Sequence, residues 1–143
     1  MKFLNEQGQE VSLKRSENLP GYEVTLAEDT VIDSAVNNPF FKGINVLQLP
    51  KKLKGFRDNS DLKMLLSPKG TRTNIFLKSD FDNEIVIFEP NIILMNDMKL
   101  NVVNRIFGND QEILPLFVNL GLKNIKLKEG FTIGSIYILT VQN

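Results

Sequence analysis

The sequence predicts an all-β fold of the sandwich or barrel kind, and three observations carry the prediction. Ile125, Leu127 and Ile133 keep the period of two that marks strands buried on one face. Turn-forming residues punctuate the chain about every 8–12 residues, the spacing of short antiparallel strands. Nowhere does a stretch of about ten residues hold the i, i+3, i+4 apolar stripe of an amphipathic helix. At 143 residues the chain is long enough for one domain with a real core.

Taken in order, Phe3-Leu4 and Val11-Ser12-Leu13 flank the polar run Asn5 to Glu10, which reads as a hairpin. Leu19-Pro20-Gly21-Tyr22 and Asn37-Asn38-Pro39 through Gly43 are further breaks. Strands are expected near residues 10–13, 22–26, 44–49, 62–66, 73–77, 84–88, 91–95, 112–118, 123–127 and 133–140, with short helical turns at 33–38 and 96–100. Gly121 and Gly130 stand where the last strands reverse, a place that favours a residue free to take positive φ. Residues 1–45 read as an N-terminal arm or extension that docks on a partner, and residues 46–143 as the β-domain.

Composition narrows the chemistry. Hydrophobic residues make up 42% and charged residues 24%, the balance of a folded chain. Lys+Arg and Asp+Glu both number 17, so no global field draws in nucleic acid or an acidic membrane. No apolar run approaches the ~20 residues of a membrane span, and the polar residues directly after Leu4 do not read as a leader. The absence of cysteine and histidine removes disulfides, thiol and imidazole catalysis and the usual zinc sites. The basic run Lys51-Lys52-Leu53-Lys54-Gly55-Phe56-Arg57 is offset by Asp58 and Asp61 and reads as a solvated loop. Asp80-Phe81-Asp82-Asn83-Glu84 lacks the glycine and distal glutamate of a calcium loop and reads as an acidic turn. No metal ligands or cofactor-binding residues are identified. Richness in Asn, Lys, Ile and Leu fits an AT-rich coding genome such as many phages have.

The run from Glu112-Ile113 through Asn119-Leu120-Gly121 to Gly130-Phe131-Thr132-Ile133-Gly134-Ser135-Ile136 matches E-I, N-x-G and G-D-R-I-A-Q-L without a gap. In this it resembles the trimeric dUTPase and dCTP deaminase family. Pro90-Asn91-Ile92 falls in the family's P-R-S place, and Asn104-Arg105-Ile106-Phe107-Gly108 in that of N-G-V-I-D. Ser60-Asp61-Leu62 is matched to A-G-x-D-L, with Pro20-Gly21-Tyr22-Glu23-Val24 as a rival placement set aside for its distance from Pro90. The resemblance implies a distorted jelly-roll or β-barrel and a homotrimer.

The chemistry that the family places on those motifs is absent from the residues here. Gly108 stands for the water-activating Asp, with Asp110 nearby as the one substitute. Asn91 and Ile92 replace the phosphate-binding Arg and Ser, and Phe131 and Thr132 replace Asp and Arg. Glu112 reads as a structural hydrogen-bond acceptor rather than a deaminase base. The expectation is therefore a protein with no catalytic residues, a phage virion component such as a capsid decoration or head-fibre part, present in the host cytoplasm during assembly and then in the particle. Its partners would be two further copies and other virion proteins. Phe40, Phe41, Phe117, Phe131 and Tyr137 are the candidate interface residues, with intrachain core as their other role. The alternatives are a divergent nucleotide pyrophosphohydrolase and a non-catalytic nucleotide- or partner-binding module.

Overall fold

The computed structural model describes residues 1–17, 19–37 and 68–142. The strands in chain order are β1 (Lys2–Leu4), β2 (Tyr22–Thr25), β3 (Thr30–Ile32), β4 (Lys69–Gly70), β5 (Phe76–Lys78), β6 (Glu84–Pro90), β7 (Leu100–Val102), β8 (Ile106–Phe107), β9 (Leu116–Asn119), β10 (Ile125–Leu127) and β11 (Thr132–Thr140). Among the described residues one short helix, α1 (Ile92–Asn96), and a 3-10 turn at Ala35–Asn37 interrupt them. The fold is all-β, as the alternation and the turn spacing predict.

β11 organises the largest sheet, whose order is β2-β11-β6-β8 with every pairing antiparallel. Register places Ile136 opposite Phe88 and Val86 opposite Phe107, and all four side chains are buried. The other face carries Tyr137 opposite Ile87, Ile87 opposite Ile106, and Leu139 opposite Ile85. A second sheet, β4-β9-β7, closes the core. Phe117 of β9 meets Phe88 edge to face at a ring separation of 6.3 Å, which locks the two sheets together.

The structure corrects the separate N-terminal arm. β1 pairs with β5, β2 with β11 and β3 with β10, and Phe3, Val24, Leu26 and Ile32 are core residues. The Met1 amine lies 3.2 Å from Glu84, whose carboxyl is held below its ordinary range first by the Ser79 hydroxyl and also by that amine. The turn chemistry of residues 5–9 and 19–21, read as marking an arm, instead reverses strands within the body. The expected first hairpin is present, with Val11 donating to the Phe3 carbonyl at 2.8 Å and Gly8 at φ 78°. The proposed boundary at 45/46, the strands expected at 44–49 and 62–66, the basic run at 51–57, and Phe40, Phe41 and Asp61 lie outside the described residues.

The strand expected at 91–95 is α1 instead. The Asn91 side chain accepts from the Ile93 amide at 3.1 Å and so caps a helix at its first turn. Only Leu94 of that helix is buried, so the run Ile92-Ile93-Leu94 is not a two-faced strand. The expected turn at 96–100 shifts upstream with α1, whereas the one at 33–38 agrees with the 3-10 turn. Only a bridge at Glu10 forms within 10–13. Asn74 at φ 55° delays β5 to residue 76, and Pro115, which has no amide hydrogen, precedes the start of β9 at residue 116.

Asn119 of the N-x-G motif is a structural residue. Its Nδ2 donates to the carbonyls of Ile32 at 2.9 Å and Lys123 at 2.8 Å, while Oδ1 accepts from the Gly121 amide at 2.9 Å. Gly130 takes positive φ at 86° as expected, but Gly121 does not; its place is set by the tight approach of the Asn119 amide and Lys99. Asn119→Ala would orphan three backbone groups at a site 4% exposed, and is expected to cost about 2 kcal/mol in a urea melt.

Candidate functional site

Two close strand contacts shape a cleft among the described residues. Gly21, at φ 107°, brings the turn before β2 so near β11 that a Cβ there would lie 2.0 Å from the Ile136 carbonyl oxygen. A Cβ on Gly134 would lie 2.3 Å from the Glu89 carbonyl oxygen. The Glu23, Ser135 and Glu89 positions consequently lie side by side across three strands. They line a cleft of about 680 Å³ together with Leu19, Ile92 and Met95.

The described lining of this cleft is acidic. Glu17, Glu23 and Glu89 line it, and no described lining residue is Lys or Arg. Lys14 reaches Glu23 at 3.7 Å and Arg105 reaches Glu89 at 3.4 Å from outside the lining. The Ser135 hydroxyl donates to that of Ser16 at 3.0 Å. Asn91 is fully committed: its Nδ2 donates to the Thr132 carbonyl at 3.2 Å, its Oδ1 caps α1, and its amide donates to Ile133 at 2.8 Å. Ile92 stands 67% exposed at the cleft edge.

The other sequence candidates lie elsewhere. Gly108 and Asp110 form a turn after β8, in which Gly108 donates to the Gln111 side chain at 2.7 Å. Asp110 does not line the cleft; it pairs with Lys78 at 2.9 Å on an exposed surface. Glu112 binds Arg72 at 3.0 Å, the hydrogen-bonding role expected of it, and that contact raises the guanidinium pKa above its ordinary value. Among the described residues no group of three or more acids converges to hold a metal ion.

The candidate interface residues separate. Phe117 is fully buried against Phe88, and Phe131 packs half-buried on the same core, so both are corrected to intrachain core positions. A strand whose alternate residues fill the core carries the same aromatic pattern as a subunit contact. Tyr137 alone of the described candidates stands half-buried on the outer face of the large sheet.

No family model and no curated protein matches the chain. Solved structures do. The dUTPase from Streptococcus mutans matches with a TM-score of 0.65 at 11% identity, over 100% of this chain and 98% of that one. The fold is dUTPase-like. The native EIAV dUTPase agrees at a TM-score of 0.59 and 16% identity, over 97% of this chain and 87% of that one. A mutant dUTPase from phage phi11 of S. aureus agrees at 0.62 and 8%, over 93% and 85%. Matches this nearly end to end include residues 1–37 within the dUTPase-like body, in line with their strand pairings.

The dUTPase-like arrangement also bears on the first motif. Gly21-Tyr22-Glu23-Val24, the rival to Ser60-Asp61-Leu62, enters β2 beside β11 and brings Glu23 into the cleft with Pro90 and Asn91. β11 bridges β2 and β6 in space, so distance along the chain does not separate this stretch from Pro90. Ser60-Asp61-Leu62 lies outside the described residues.

Proposed function

We propose that this chain is a non-catalytic dUTPase-fold protein that assembles as a homotrimer and serves as a docking module, with a phage particle as its setting. One observation carries the non-catalytic reading: among the described residues, three carboxylates and no Lys or Arg line the cleft where the resemblance puts a triphosphate. Phosphates need cationic forks and free amides, whereas Asn91 is spent on capping and strand contacts. Asp110, the substitute nearest the activating carboxylate's place, is paired with Lys78 outside the described cleft lining.

The trimer is supported by the apolar outer face at Ile85, Ile87, Ile106, Tyr137 and Leu139, where Ile106 is 62% and Leu139 45% exposed. Size-exclusion chromatography with light scattering should give three copies of the 16.2 kDa chain; a monomer would exclude that assembly. Mass spectrometry of purified particles tests the setting, and absence from particles would remove it. Docking falls to the cleft and outer face, because residues 1–37 are built into the body.

A second reading, a divergent nucleotide pyrophosphohydrolase, is favoured by the match to dUTPases over nearly the whole chain. It requires turnover of a deoxynucleoside triphosphate with Mg²⁺.

A further inference from the structure

We propose that the acid-walled cleft is a docking groove for a basic, apolar peptide segment of a partner protein. The inference rests on the non-catalytic reading of the same cleft and names the chemistry of its occupant. The groove also has an apolar lining: Leu19 is 47% and Ile92 67% exposed, and Met95 of α1 adds an adaptable thioether. Exposed aliphatic side chains around a concave site take an apolar anchor.

Charge complementarity chooses the partner. Glu17 has no ion pair among the described residues. Among the described residues, Glu23 and Glu89 are met only by single long contacts from Lys14 and Arg105, whose side chains are 69% and 44% exposed. Such exposed pairs hold weakly, so an arriving guanidinium can displace them and bind a carboxylate through two parallel hydrogen bonds. An anionic ligand meets three like charges in the same place. Leucine or a similar side chain against Ile92 and arginine against the Glu23–Ser135–Glu89 wall is the arrangement the cleft accepts.

The test uses the full chain and a fluorescein-labelled hexapeptide of alternating leucine and arginine, followed by fluorescence anisotropy. Binding is expected with a Kd on the order of micromolar. The double variant Glu23→Gln, Glu89→Gln should weaken it about tenfold, since charged hydrogen bonds are lost. Ile92→Ser should weaken it severalfold, whereas Leu122→Ser, on an exposed turn outside the described cleft lining, should leave it unchanged. Circular dichroism of each variant confirms that it is folded. Equal binding by the glutamine variant, equal binding of a leucine–glutamate hexapeptide, or no binding below about 1 mM would each overturn the proposal. Loss of the docking result without nucleotide turnover would sink the groove alone; nucleotide turnover would sink the reading on which it rests.

Discussion

Replacing Phe117 with alanine is expected to lower stability by about 4 kcal/mol, the upper range for emptying an aromatic from a packed core. Phe117 is fully buried and is the β9 side of the ring contact that joins the two sheets. Its loss opens a cavity against Phe88, which the backbone cannot close without shifting β9 away from β4 and β7. Chemical denaturation at fixed protein concentration reads the change. Light scattering under native conditions should show the same oligomer as the parent chain, because the ring faces its own core. A variant of unchanged stability that loses its oligomeric state would restore Phe117 to an interface.

Gly21→Ala is expected to cost a similar amount, about 4 kcal/mol, from two sources. An alanine at φ 107° is strained by about 1–3 kcal/mol. The added methyl would also sit 2.0 Å from the Ile136 carbonyl oxygen, so β2 must part from β11, at a further cost of about 1–3 kcal/mol. Gly8→Ala is the control: its φ is also positive at 78°, but a Cβ there meets nothing within 4 Å, so only the smaller backbone cost applies. A Gly21 variant no worse than the Gly8 variant would contradict the close approach that shapes the cleft.

The strands of the last third were legible because their chemistry is local. The Ile136-Tyr137-Ile138-Leu139 run is strand-prone, Gly130 reverses the chain, and Pro115 excludes a ladder donor, so β11 and its neighbours fall near their expected places. Ile92-Ile93-Leu94 was not legible, because three β-prone residues are overruled by a single cap from Asn91. Phe117 and a subunit contact look alike in sequence; only burial separates them. The cleft was legible in its parts and not as a whole. Glu23 and Glu89 are far apart in the chain and meet only because both strands pair with β11 at Ser135. The N-terminal segment was misread for the same reason: each of its strands finds a partner at least forty positions away, beyond the reach of local pattern.

We propose that this dUTPase-like frame carries a cleft whose described lining does not suit nucleotide hydrolysis. Pyrophosphate release from dUTP and dCTP, measured with purified full-length chain and Mg²⁺, tests it most directly. Release indistinguishable from a protein-free control is the expected result. Turnover that disappears on changing Asp110→Ala, with the fold intact, would contradict it.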